Sequence, residues 1–158
     1  MFASLGVFAG LGLDSGGAEG VPTTIRAAIY YLLIGDPAIY EAVDDRIWPN
    51  GLPQDPAYPA ITYSISASNE SRRWSGKVGV RETRAQISAW SRYQSEAEAL
   101  AHAIREVFTD FNGQVGDVVI EDVEVVNELD LSERPATATD QYLYRILLDL
   151  TITHRTGA

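Results

Sequence analysis

The sequence predicts an α+β fold: an antiparallel sheet of about four strands, with two main helices packed on one face and a flexible N-terminal arm in front. Three observations carry this expectation. Stretches that alternate apolar and polar residues come in two pairs, one pair in the middle of the chain and one near its end. Apolar residues at helical spacing occur before the first pair and again between the two pairs. The length of 158 residues, 46% of them hydrophobic, suits a single core.

The opening M-F-A-S-L-G-V-F-A-G-L-G-L has no Lys or Arg before its apolar residues and is interrupted by Gly6, Gly10 and Gly12. It lacks the basic front of a secretory signal and is too short to span a bilayer. It runs into D-S-G-G-A-E-G-V-P, so residues 1–22 are expected to be a Gly-rich arm and residues 23–158 the folded domain. Phe2, Leu5, Val7 and Phe8 are anchors with which such an arm could order on a neighbouring subunit.

Pro22-Thr23-Thr24 opens the first helix, whose Ala28, Ile29, Leu32 and Leu33 recur at helical spacing up to Gly35. Asp36-Pro37 starts a short second helix or single turn. Four of the seven prolines follow between Pro49 and Pro59, which predicts an extended, irregular connection. In Ala60–Asn69, Ile61, Tyr63 and Ile65 alternate with Thr62, Ser64 and Ser66. The polar segment after it suits the tip of a long hairpin. Its partner, from about Val78 to Trp90, sets Ala85, Ile87 and Ala89 on one face and Arg84, Gln86 and Ser88 on the other. Ser95-Glu96-Ala97-Glu98 reads as a capping box, and Leu100, Ala103, Ile104, Val107, Phe108 and Phe111 form one stripe ended by Asn112-Gly113. Val118–Leu131 is β-branched and slips in its alternation near Val125-Val126, which predicts a bulge. The closing strand turns Tyr142, Tyr144, Ile146, Leu148, Leu150 and Ile152 one way, and Arg145, Asp149, Thr151 and Thr153 the other. Leu143 and Leu147 make that second face partly apolar.

No enzyme is read from these residues. The chain has no cysteine, which excludes disulfides, thiolate metal sites and a cysteine nucleophile. His102 and His154 lie on different elements, and no H-x-x-x-H pair, Gly-rich phosphate loop or G-x-S-x-G elbow occurs. Asp36 with Asp44-Asp45 reads as a solvated turn. No metal, cofactor or catalytic residue is therefore expected. A hydrolase built on an unrecognised carboxylate pair would require two close, buried carboxylates.

The charges say more. Acidic side chains number 22 against 12 basic ones, for a formal charge of -10. A chain so charged does not bind nucleic acid through its overall field. Six of the twelve basic residues (Arg72, Arg73, Lys77, Arg81, Arg84 and Arg92) fall in the hairpin tip and second strand. Between Glu106 and Glu133 there are nine carboxylates and no Lys or Arg. Two solvated faces would account for this pattern. The alternative is a head-to-tail contact in which the basic hairpin of one copy (Arg72, Arg73, Trp74, Lys77, Arg81) meets the acidic strand of the next (Asp117, Glu121, Asp122, Glu124, Glu128, Asp130).

The ordered signatures I-R-A-A-I-Y-Y-L-L, D-R-I-W-P-N-G-L-P-Q, Y-P-A-I-T-Y, R-A-Q-I-S-A-W-S, S-E-A-E-A-L-A-H-A-I-R and Y-R-I-L-L-D-L-T-I-T-H-R resemble those of phage tail-completion or tail-terminator proteins. The resemblance covers about residues 23–155; the arm 1–22 departs from it. It implies an α+β structural protein without catalytic residues. It also implies a hexameric ring that caps the head-proximal end of a tail tube, stops its polymerisation and joins it to the head. The implied partners are further copies of the chain, the tail tube protein, a head-completion or connector protein, and genomic DNA that slides through the lumen unbound; no membrane is involved. The implied location is the tail or neck of a virion assembled in the host cytoplasm. An acidic lining would keep such a lumen from gripping phosphates, so the carboxylates between Asp117 and Asp130 are candidates for the channel as well as for the subunit interface. Other readings are a neck, connector or minor tail protein, or a small α+β ligand-binding or regulatory module.

Overall fold

A computed structural model of the protein describes residues 21–70, 79–133 and 142–156. The elements are α1 (Ile25–Gly35), α2 (Pro37–Val43), β1 (Ile47–Pro49), β2 (Ala60–Glu70), β3 (Val80–Ser91), α3 (Gln94–Phe108), β4 (Gly113–Val115), β5 (Val118–Asp130) and β6 (Tyr144–Thr156). Residues 1–20 of the expected arm and residues 71–78 of the long hairpin's tip lie outside the described residues.

The two N-terminal helices begin where the sequence supplies caps. Thr24 Oγ1 accepts the Ala27 N–H at 3.1 Å, and Asp36, which ends α1, accepts the Ile39 N–H at 3.1 Å to start α2 with Pro37 in its first turn. The expected capping box on α3 does not form. The N-cap is Tyr93, without a side-chain cap; Ser91 Oγ instead donates to Glu96, and Gln94 Nε2 donates to Glu98. β3 ends at Ser91, so the helix starts before Ser95 can stand outside it.

The sheet has six strands in the order β1-β2-β3-β6-β5-β4, which corrects the expected four. The four long strands are the expected ones and are antiparallel to one another. The two additions are three-residue edge strands. β1 runs parallel to β2 inside the proline-rich connection, held there by Arg46, whose Nε donates to Pro59 O at 2.8 Å and Nη2 to Ala42 O at 3.2 Å. An edge strand tolerates Pro49 because one of its sides needs no ladder donor. β4 folds back on β5 through Gly116, whose φ of +62° sets its would-be Cβ 2.3 Å from Pro22 O. That carbonyl accepts the Asp117 N–H at 2.8 Å and fastens the start of the described chain to this turn.

The helices lie on one face. Ile61 and Tyr63 on β2, Ala85, Ile87 and Ala89 on β3, Ile146, Leu148, Leu150 and Ile152 on β6, and Val118, Ile120 and Val123 on β5 form its apolar surface. Ala28, Ile29 and Leu33 of α1, Ile39 and Val43 of α2, and Ala97, Leu100, Ala101, Ile104 and Phe108 of α3 pack on it. Burial of this surface is the main source of stability. β5 keeps its apolar residues inward through two register shifts, between Ile120 and Asp122 and between Val125 and Asn127. The second is the bulge that the sequence predicts.

Candidate interaction surfaces

The face of the sheet opposite the described helices, the helix-free face, is built in rows by cross-strand register. Trp90 pairs with Arg145, Ser88 with Leu147, Gln86 with Asp149, Arg84 with Thr151 and Glu82 with Thr153. On β5, Leu129, Asn127, Glu124 and Asp122 continue the rows of Leu147, Asp149, Thr151 and Thr153. The face has two halves. Near the β5–β6 connection, the Arg145 guanidinium stacks 4.7 Å from the Trp90 ring centroid and donates to Ser88 Oγ, while Trp90 Nε1 donates to Thr62 Oγ1 at 2.9 Å. Leu129 and Leu131 are 40% exposed there. Toward the β2–β3 hairpin the rows are polar and charged. Arg84 forms an ion pair with Asp149, which is 7% exposed and whose Oδ1 has no hydrogen-bond partner.

The acidic residues do not share one surface. Asp122 and Glu124 lie exposed on the helix-free face. Glu128 and Asp130 point to the opposite side, where Glu128 pairs with Arg105 of α3 and Asp130 accepts the Ser132 N–H at 3.0 Å. Glu121 stands at the first bulge and meets Arg155 at 2.8 Å. Asp117 is exposed in the β4–β5 turn. Of the basic set, Arg81 is exposed on β3 opposite His154, whereas Arg72, Arg73, Trp74 and Lys77 lie outside the described residues. Sequence reasoning missed the Trp90–Arg145–Ser88–Thr62 cluster and the Arg84–Asp149 pair. Both join residues that the strand periods had set on matching faces, but only register brings them into contact.

Neither histidine builds a site. His102 is exposed on α3. His154 is buried, with Nε2 2.8 Å from Thr83 Oγ1, which in turn lies 3.0 Å from Ser68 Oγ; burial, then the Arg81 charge, push its pKa below the usual histidine value. Among the described residues, Asp149 is the one buried carboxylate and no cluster of His, Asp or Glu could hold a metal ion. No helix among them is long and apolar enough to cross a membrane.

The family model described as "Tail completion protein gp17" matches residues 27–155. The chain belongs to that family. Tail completion proteins are structural components of phage virions. Among solved structures, a chain from the "Virion of native gene transfer agent (GTA) particle" is similar at 17% identity and a TM-score of 0.60, covering 89% of this chain and 99% of that one. A second solved chain is 18% identical over 81% of this chain and 92% of its own length, with a TM-score of 0.47. At such identity the first likeness speaks for the fold. No match exists among the curated protein sequences compared. The family match spans all nine described elements but the first two residues of α1 and the last residue of β6.

Proposed function

We propose that copies of this chain form a ring, hexameric by family expectation, at the head-proximal end of a phage tail tube. The ring stops tube polymerisation and joins the tail to the head connector. The observation that carries this reading is the tail-completion match across residues 27–155, together with a fold shared with a virion chain that is covered almost end to end. The chain's partners are then its own copies, the tube protein and a connector protein, and its location is the neck of the virion. It acts through surfaces and not by catalysis.

DNA passes the ring without specific contacts. Asp122 and Glu124, exposed on the helix-free face, are the carboxylates best suited to line the channel, because repulsion between them and phosphates keeps the wall from gripping. The helices then lie outside. The test is electron microscopy of intact particles in which this chain carries a label. An annular density between tube and head supports the reading, and label away from any annular layer refutes it. Light scattering of the purified chain gives the mass of any ring formed without the tube.

A further inference from the structure

We propose that neighbouring copies join through their sheets, with the free edge of β2 at Ser64–Asn69 adding antiparallel to the free edge of β5 at Asp122–Asn127 on the next copy. This rests on the ring reading and names the contact that closes it.

Among the described residues, the sheet leaves both edges open over most of their length. β1 pairs with only Ile61, Thr62 and Tyr63 of β2, and β4 with only Val118, Val119 and Ile120 of β5. The Ile61 N–H donates to Arg46 O and the Tyr63 C=O accepts from Asn50 N, both toward the β1 side. By alternation Ile65 turns its N–H and C=O the same way, past the end of β1 at Pro49. Unpaired strand edges invite pairing with another chain and are commonly guarded by Lys, Pro or inward charges. Ser64-Ile65-Ser66-Ala67-Ser68-Asn69 carries none of these, and its one irregularity, the register shift between Ile65 and Ala67, adjoins the same Ala85–Leu150 row as the shift between Val125 and Asn127 on β5.

The direction and level of the two edges agree. The four long strands alternate in direction across β2-β3-β6-β5, so β5 runs opposite to β2. A copy rotated about a ring axis without inversion therefore brings β2 antiparallel to its neighbour's β5. Cross-strand register sets Ser64, Ala67 and Asn69 level with Asn127, Glu124 and Asp122, through Gln86–Asp149, Arg84–Thr151 and Glu82–Thr153. Glu124 of the next copy then stands beside Ala67, whose small side chain leaves room for it one strand away from the half-exposed Arg84. β5 offers acid along this edge and β2 offers small neutral residues flanked by Arg84 and Arg81, so the contact joins unlike surfaces, as a head-to-tail ring requires. Four long strands from each of six copies, with their rows level and ~4.8 Å per strand, close a wall roughly 37 Å across.

The natural chain has no cysteine, which makes disulfide trapping clean. Residues opposite one another in an antiparallel pair lie about 4.5–5.5 Å apart at Cα, within the span of a disulfide. Ala67 and Glu124 are both exposed, so A67C and E124C disturb no core contact. The double variant A67C/E124C is oxidised both as purified protein and in tail-bearing particles, and resolved on non-reducing gels. The expected result is a ladder of covalent multimers that reduction collapses, whereas A67C alone and E124C alone give no ladder and their mixture gives one dimer band. An annular layer or ring-sized mass without the ladder overturns the edge contact and leaves the ring reading standing. Absence of any ring in both preparations overturns the two together.

Discussion

Asp149 sits nearly out of water on a sheet face that none of the described helices covers, and its ion pair with Arg84 gives an asymmetry that can be measured. Asp149 is 7% exposed, while the Arg84 side chain is 52% exposed. Removing Arg84 therefore strands a buried carboxylate, one of whose oxygens already has no partner. Breaking a fully buried pair costs about 3–5 kcal/mol, and water entering where Arg84 stood reduces that here to about 2 kcal/mol. Asp149→Leu strands nothing, since the arginine it frees is already half in solvent, and the new side chain extends the apolar row from Leu147. Its cost is expected to stay within about 1 kcal/mol of the native chain. Urea denaturation of R84A, D149L and the double variant measures these differences; in a thermal melt, 2 kcal/mol is about 6 °C for a domain of this size. The double variant should regain most of the stability lost in R84A. If R84A is no worse than D149L, or if D149L gives no rescue, the stranded-charge argument fails.

His154 has a folded pKa lowered by burial and by Arg81, so the unfolded chain binds more protons just below the ordinary value near 6.5 and stability falls with acid in that window, by at most about 1.4 kcal/mol per pH unit. H154Q should remove that slope between pH 7 and 5.5, as measured by urea midpoints against the native chain; parallel pH profiles would refute it. Gly116→Ala sets a Cβ 2.3 Å from Pro22 O at a φ of +62° and should cost about 2–3 kcal/mol in thermal melts, whereas Gly35→Ala, with nothing within 4 Å, should change stability by less than about 1 kcal/mol. Phe108→Ala empties a fully buried position where α3 meets the sheet and should cost about 3–5 kcal/mol by urea denaturation.

The long elements were legible because their periods are strong. Ala85, Ile87 and Ala89 alternate cleanly, as do Ile146, Leu148, Leu150 and Ile152, and the structure buries all seven. β1 was hidden because Ile47–Pro49 is three residues long and ends in proline, and what pins it is a long-range hydrogen bond from Arg46. β4 was hidden for a similar reason: Gly113 reads as a helix stop, and nothing local says that the next two residues will pair. The capping box at Ser95 failed because a matching spacing says nothing of phase. α3 begins at Gln94, so Ser95 is already inside the helix.

The acidic strand shows why faces were harder to read than elements. In an unbroken strand starting with Val118 and Ile120 inward, Asp122 and Glu124 would also point at the helices. Two buried carboxylates on an apolar surface would cost more than any edge pairing returns. The shift after Ile120 removes that conflict: it turns Val123 and Val125 inward and sends Asp122 and Glu124 to the helix-free face. The second shift, around Val126, reverses the parity again, which is why Glu128 reaches Arg105 while Asn127 and Leu129 face away from the helices. A run that looks like one negative patch along the chain thus becomes two patches on opposite sides of a sheet. Only the patch holding Asp122 and Glu124 stands level with the open stretch of β2, and it is this patch, not the charge of the whole segment, that can set the register between copies.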